Sequence, residues 1–221
     1  MNNSKRLIVI EGACDGIGKT TQFTLLKKRL EEEQIVVTHH FPSYNTIQGR
    51  PVEEYLKGNY GSFKELSPYF INSLYAVDRA ITWNTKLKQE YELGHTILLD
   101  RYTTSSIIYQ SSTIEKEEER KKFIDYICDF EYKKLGIKEP DIVIFLHAPF
   151  DVITKQRELR KENEGIKNDI HERDIEFMKK VYDNAMEIAS YLNWEKIDCS
   201  KNNELDTIEN IHQKVYSKIK K

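Results

Sequence analysis

The 221-residue sequence predicts an α/β fold, a five-stranded parallel sheet with helices on both faces. Short apolar runs recur along the chain, as expected for strands that are covered on both faces. Longer amphipathic stretches separate these runs, as expected for helices in right-handed crossover connections. No repeat, low-complexity tract or Pro/Gly-rich linker interrupts the alternation, so residues 1–221 are expected to form a single domain.

The predicted elements alternate regularly along the chain. The predicted strands are 7–10, 35–37, 97–99, 142–146 and a weaker one near 194–197. The predicted helices are 18–33, 49–58, 67–92, 104–111, 116–135, 150–163, 169–192 and 205–219. Ligands of such sheets bind beyond the carboxyl ends of the strands, so functional side chains are expected at that edge.

Composition and charge narrow the class of protein. The 34 basic and 36 acidic residues give a net charge of -2, which offers no global electrostatic reason to expect a nucleic acid partner. No apolar run approaches the ~18–20 residues of a membrane span, and the first residues lack a signal-peptide pattern. We therefore expect a cytoplasmic protein with no membrane partner. Cys14, Cys128 and Cys199 have no metal-ligand spacing and are expected to be reduced thiols.

A glycine-rich loop, residues 11–21, follows the first predicted strand and reads EGACDGIGKTT. Gly16 and Gly18 let successive N–H groups point into one concavity, and the helix that follows adds its positive end. Lys19 can reach the β- and γ-phosphates of ATP, and the Thr20 hydroxyl can ligate Mg²⁺. The loop is a Walker A pattern with one additional residue before Asp15, which predicts a P-loop NTPase-type sheet; the alternative is a chance glycine turn. The predicted ATP-binding residues are Asp15, Gly16, Ile17, Gly18, Lys19, Thr20 and Thr21.

Asp100, Arg101 and Tyr102 follow the third predicted strand. A carboxylate at this strand end lies beside the loop in folds of this type and can hold Mg²⁺ through water. Thr20 and Asp100 are therefore the predicted metal ligands. Arg101 can bridge donor and acceptor phosphates with its planar guanidinium, although an exposed ion pair at the strand end is the alternative.

Two helical patterns are suited to a second substrate but are weak when taken alone. Tyr75 and Arg79 share one helix face, which places an aromatic ring beside an arginine donor. Ser105, Tyr109 and Gln110 open another helix with hydroxyl and amide groups that can bond a base edge or cap the helix.

Residues 154–173 are dense in Arg and Lys around a central glycine. This composition is typical of a short mobile lid that closes over ATP phosphates, excludes water and adds cationic donors. A solvated helical hairpin has the same composition and is the alternative interpretation.

Together these residues resemble the thymidylate kinase family over nearly the whole chain. The matching motifs are LIVIEG…DGIGKTTQ, Phe41-Pro42, Tyr75-x-x-x-Arg79, Asp100-Arg101-Tyr102 with Ser105-Ser106-x-x-Tyr109-Gln110, and 140–146. The resemblance implies ATP-dependent phosphorylation of dTMP to dTDP, with Mg²⁺ as cofactor, by a homodimer. A deoxynucleoside kinase and a non-catalytic nucleotide-binding module of the same fold are the alternatives.

The resemblance also implies roles for individual residues. Asp15 would accept from the 3′-hydroxyl of dTMP, Tyr75 would stack on thymine in place of the more common Phe, and Arg79 would donate to a thymine carbonyl. Arg101 would contact the transferring phosphoryl group. The implied dTMP-binding set is Asp15, Phe41, Pro42, Arg50, Tyr75, Arg79, Arg101, Ser105, Tyr109 and Gln110.

Two arginine positions differ from those of many family members. Many relatives carry an arginine after Phe-Pro that holds the dTMP phosphate; this sequence has Ser43-Tyr44, so Arg50 is the expected substitute. Some members carry the catalytic arginine in the phosphate loop, where this chain has Gly16, so the lid is expected to supply it. The implied catalytic set is Lys19, Asp100, Arg101, Arg157 and Arg160.

Overall fold

The computed structural model describes residues 6–62, 64–164 and 175–220, with the backbone alone for 160–164. Its central sheet has five parallel strands in the order β2-β3-β1-β4-β5. They are β1 (Leu7–Gly12), β2 (Val36–His40), β3 (Thr96–Asp100), β4 (Ile142–His147) and β5 (Glu195–Asp198). All five predicted strands are confirmed. A short antiparallel pair, β6 (Ser200–Lys201) and β7 (Glu204–Leu205), was not predicted.

The helices connect the strands and follow the predicted order over the described residues, but the single predicted helix 67–92 is divided into two helices by a π-helical turn. They are α1 (Lys19–Glu31), α2 (Arg50–Leu56), α3 (Pro68–Thr82), α4 (Lys88–Glu92), α5 (Thr103–Ser111), α6 (Glu117–Cys128), α7 (Phe150–Glu164), α8 (Ile175–Tyr191) and α9 (Ile208–Ile219). A π-helical turn at Trp83–Leu87 joins α3 to α4, and a second at Asp129–Lys134 extends α6. The prediction that a helix begins at 205 was wrong, because that residue pairs in β7.

The core lies on both faces of the sheet. Ile8 and Ile10 of β1 pack in a cluster with residues of α1 and α9, including Leu26 and Val215. The alternate residues of β1 face the other side, where Trp83 and Leu87 cover them. Because successive strand residues point to opposite faces and both faces are covered, residues 7–10 of β1 are all apolar. The predicted helices on both faces are confirmed.

Strand register brings three chain segments together at the carboxyl edge of the sheet. Ile10 of β1 lies opposite Asp100 of β3, and His40 of β2 lies opposite the same residue. The phosphate loop, the end of β2 and the end of β3 therefore meet at one point. Within the described part of the chain, no helix is both long and apolar enough to cross a membrane.

Candidate active site

The phosphate loop turns sharply between β1 and α1. Gly16 and Gly18 have φ angles of 99° and 85°, a region that glycine adopts at little cost, and α1 begins at Lys19. Gly12 is required for another reason: a Cβ there would lie 2.9 Å from Cγ2 of Ile17. Ala13 is fully buried, and its N–H donates to the Leu146 carbonyl at 2.9 Å. The loop thus accommodates its additional residue beside β4, and Gly16 and Gly18 still form the turn that leads into α1.

A pocket of about 340 Å³ opens at the carboxyl edge of the sheet. It is formed by the phosphate loop, the ends of β2 and β3, and helices α3, α5 and α8. Twelve of the predicted site residues line it: Asp15, Lys19, Thr20, Phe41, Pro42, Tyr75, Arg79, Asp100, Arg101, Ser105, Tyr109 and Gln110. Others that line it, such as His40, Tyr44 and Met178, had not been predicted.

Asp100 is the centre of an ionic cluster at the floor of this pocket. Its Oδ1 lies 3.3 Å from Nζ of Lys19, and its Oδ2 lies 3.0 Å from Nδ1 of His40. Burial raises the pKa of Asp100, but the hydrogen bond from His40 and the charges of Lys19 and Arg101 outweigh it, and the pKa falls to about 2. Oδ1 is buried and accepts no hydrogen bond from the described residues. The carboxylate is thus ionised, and its Oδ1 is in an ion pair with Lys19.

Arg101 follows β3 in a left-handed backbone conformation, with a φ of 64°. Its Nη2 contacts Oδ1 of Asp15, its Nη1 lies 3.8 Å from Glu11, and its guanidinium carbon lies 5.6 Å from the Tyr109 ring centre. Burial raises the pKa of Asp15, but the charges of Arg101, Lys19 and Arg157 outweigh it, so the pKa of Asp15 is lowered. Since a non-glycine residue rarely adopts this φ, the backbone is constrained to direct Arg101 toward the loop.

Glu11 is a site residue to which sequence reasoning gave no role. It is fully buried and accepts hydrogen bonds from the hydroxyls of Thr104 and Ser105 at the start of α5. The signal was present: a carboxylate inside an otherwise apolar strand needs buried donors. Glu11 therefore fixes the start of α5, the helix that carries Tyr109 and Gln110.

The opposite wall of the pocket carries neutral and paired polar groups. Arg79 is 1% exposed and forms two 2.6 Å bonds to Glu131, from Nε and Nη2. Tyr75 lies edge-on to Tyr55, with ring centres 6.3 Å apart. Oε1 of Gln110 is buried and accepts no hydrogen bond from the described residues. Glu131 was not predicted, because its partner Arg79 is 52 residues earlier in the chain.

The segment after β2 forms part of the pocket floor. The Phe41–Pro42 peptide bond is cis, and Phe41 packs against the ring of Tyr102 with centres 5.7 Å apart. The buried carboxylate of Asp78 on α3 accepts from the Ser43 N–H at 2.7 Å. This bond fixes the position of Pro42 and Tyr44, which line the pocket on either side of Ser43.

The two other predicted arginines whose side chains are described are not among the residues that line the pocket. Arg50 is exposed at the start of α2 and is not among the residues that line the pocket. Arg157 on α7 lies behind the phosphate loop: its Cβ is 3.5 Å from where a side chain on Gly16 would begin, and its guanidinium contacts Met178. The side chain of Arg160 and residues 165–173 of the predicted lid lie outside the described residues.

A family model and individual relatives point to the same protein family. The model of the family described as thymidylate kinase matches residues 10–215. A probable thymidylate kinase of Methanocaldococcus jannaschii is 32% identical over 213 residues, covering 96% of this chain and 95% of its own. The thymidylate kinase of Prochlorococcus marinus is 29% identical over 225 residues, covering 98% and 96%.

A solved structure supports the fold independently. The thymidylate kinase of Candida albicans has a TM-score of 0.74 at 23% identity, covering 98% of this chain and 92% of that chain. At this identity the likeness shows the shared fold, which the strand order and the phosphate loop also indicate. Because the family model spans most of the sequence and the archaeal relative aligns along nearly its whole length, the chain belongs to the thymidylate kinase family.

Proposed function

We propose that this protein transfers the γ-phosphoryl group of ATP to the phosphate of dTMP, producing ADP and dTDP. One observation carries the proposal. A single pocket brings Lys19, Asp100 and Arg101 of a phosphate site together with a wall of aromatic, amide and guanidinium groups that suits a nucleobase. Family membership supports the same reaction.

The polar groups of this wall match the edge of thymine. Arg79 is a hydrogen-bond donor, and the unsatisfied Oε1 of Gln110 is an acceptor. Thymine presents a carbonyl acceptor beside an N–H donor, so each group would have a partner. Cytosine presents the reverse pattern and would set a donor against Nη1 of Arg79 and an acceptor against Oε1 of Gln110, which costs more in a buried pocket than a lost contact at the surface. Tyr75 lines the same pocket and would stack on the ring.

The loop carboxylate suits the sugar of the acceptor. Lys19 and Arg101 both contact Oδ1 of Asp15, and Oδ2 would accept from the 3′-hydroxyl of dTMP. The lowered pKa of Asp15 keeps it ionised for this bond. The arrangement thus suits a nucleotide whose sugar and phosphate lie across the loop.

Phosphoryl transfer here relies on positioning and charge neutralisation. A dTMP phosphate oxygen is already anionic near pH 7 and would attack the γ-phosphoryl group in line, without a general base. Lys19 and Arg101 would neutralise the charge that spreads over the transferring group. Arg157 is the candidate for a further cation, because it lies next to Gly16 and its charge already reaches Asp15.

The site also fits a Mg²⁺ ion. Asp100 and Thr20 line the same pocket. The ionised Asp100 carboxylate, whose Oδ1 pairs with Lys19 but accepts no hydrogen bond from the described residues, and the Thr20 hydroxyl would hold the ion, partly through water. When bound, the ion neutralises charge on the nucleotide phosphates. No group of three or more His, Cys, Asp or Glu residues in the described ranges is arranged to hold a metal. The other ligands would therefore come from the nucleotide and water, as Mg²⁺ commonly prefers.

We also propose that two copies associate through the outer face of α3. Phe70, Val77 and Ile81 follow one another on this face and are 43%, 47% and 41% exposed. Sedimentation velocity tests this: Val77→Glu is expected to give monomers, whereas Leu93→Glu, at an exposed residue after α4, is the matched control. A wild-type monomer would contradict the proposal.

The three free thiols suit a reducing, cytoplasmic location.

A coupled ADP-release assay across the nucleoside monophosphates and thymidine tests the activity. The expected result is fastest turnover with dTMP. Preference for thymidine would indicate a deoxynucleoside kinase, and no turnover with any acceptor would indicate a binding module.

Lys19→Ala tests the role of the phosphate loop. We expect turnover to fall by orders of magnitude while dTMP binding, measured by calorimetry, largely survives. Lys27→Ala is the control, since Lys27 is exposed on the same helix and pairs with Glu31 at 3.7 Å. Near-normal turnover of Lys19→Ala would contradict the mechanism.

A further inference from the structure

Glu131 is the least exposed charged group near the base-binding wall. Its side chain is completely buried, and it lies in the π-helical turn that extends α6. The basic neighbours Lys133 and Lys134 in the same turn are 77% and 70% exposed. π-Helical turns commonly occur at functional sites, because they change the direction of one side chain within a helix.

Glu131 makes three hydrogen bonds toward the active site. Oε2 accepts from Nε of Arg79 at 2.6 Å and from the Thr103 hydroxyl at 2.9 Å, and Oε1 accepts from Nη2 of Arg79 at 2.6 Å. This two-bond pairing fixes the plane of the Arg79 guanidinium. Nη2 also donates to Ser106 at 2.9 Å, so this side of the guanidinium is fully occupied.

The remaining nitrogen of Arg79 has spare donor capacity. Its Nη1 makes one long contact of 3.4 Å with the carbonyl of Tyr102 among the described residues, and Arg79 lines the pocket. Because Glu131 balances the charge of Arg79, the buried pair presents a directed N–H donor and has no net charge. Such a donor suits a neutral base carbonyl, whereas an unpaired buried cation would favour an anion.

We propose that Glu131 is a positioning residue that sets base selection through Arg79. It fixes the guanidinium so that Nη1 donates to a carbonyl on the nucleobase of the acceptor. It also balances the charge of Arg79, so that this end of the pocket binds a neutral nucleobase. The inference rests on the proposed dTMP kinase function.

Steady-state kinetics of Glu131→Gln, with dTMP, dCMP and ATP varied in turn, test the proposal. We expect the KM for dTMP to rise about tenfold or more, with kcat within about threefold and the KM for ATP within about twofold of the wild type. The preference for dTMP over dCMP in kcat/KM is expected to fall about tenfold. Asp129→Asn, which removes an exposed carboxylate from the same turn, is the matched control and is expected to change none of these values.

A second pair of variants tests the proposal even if Glu131→Gln does not fold. Arg79→Met removes the guanidinium and leaves the buried Glu131 carboxyl without its partner, whereas Arg79→Met/Glu131→Met replaces the whole buried pair by apolar side chains, which proteins commonly tolerate. If Glu131 acts through Arg79, both variants have the same raised KM for dTMP. A further rise of about tenfold in the double variant would overturn the proposal.

The outcomes separate the two proposals. A wild-type enzyme that does not phosphorylate dTMP overturns the proposed function. A wild-type enzyme that does so, with a folded Glu131→Gln variant whose KM for dTMP and preference over dCMP are unchanged, overturns only the role of Glu131. Equal rises in the KM for dTMP and the KM for ATP would show a general structural role and would also overturn it.

Discussion

Replacing Asp100 by asparagine keeps the shape of the side chain and removes its charge, so it measures how much that charge contributes to the free energy of unfolding. The pKa of Asp100 falls from an ordinary 3.8 to about 2, although burial alone would raise it. Because the folded-state pKa is lowered, the stabilisation is present above the unfolded-state pKa and is lost as pH falls through the folded-state value. The difference between the two pKa values of Asp100 corresponds to about 2 kcal/mol of folding stability at neutral pH. About half of this stabilisation is lost by about pH 3.

The assay is urea unfolding of the wild type and Asp100→Asn at about pH 6 and about pH 3. The difference in unfolding free energy between the two proteins is expected to shrink by about 1 kcal/mol at the lower pH. Asp129→Asn is the control, because this carboxylate is exposed and its pairs with Lys133 and Lys134 contribute less than about 1 kcal/mol. An Asp100→Asn difference that is the same at both pH values would refute the reasoning.

Three further perturbations test the loop and the pocket. Gly12→Ala is expected to lower the free energy of unfolding by about 1–3 kcal/mol in urea, since its Cβ would lie 2.9 Å from Ile17; an unchanged midpoint would contradict this. Gln110→Leu is expected to raise the KM for dTMP about tenfold at constant KM for ATP, and a change confined to ATP would rule out its contact with the base. Arg157→Ala is expected to reduce kcat at least about a hundredfold with little change in dTMP binding, and an unchanged kcat would exclude its role in phosphoryl transfer.

The strands were predictable because their patterns are local. Every position of β1 and β3 is buried, and a strand covered on both faces must be apolar at each of those positions. The charged residues of these strands, Glu11 and Asp100, are the ones that organise the site. Helix ends and the β6–β7 pair were less predictable, since turns of two residues carry little periodic signal.

The arginines show where sequence patterns stop being informative. Arg50 was a reasonable substitute by its distance along the chain, but it lies exposed at the start of α2, away from the pocket lining. Arg157 was assigned to a lid over ATP, and the structure places it against Gly16 and Met178. The direction of a long side chain depends on which helix packs behind it, and spacing along the chain does not contain that information.

The sequence by itself determined the sheet, the phosphate loop and the residue types of the site, because each depends on contiguous residues and on the spacing of glycines. Only the tertiary structure decided how those residues are held. It paired Glu131 with Arg79, Glu11 with the start of α5, and His40 with Asp100. These partners lie 52, 93 and 60 residues apart in the chain. A buried charge requires a partner for electrostatic reasons, but chain folding alone determines which residue that partner is.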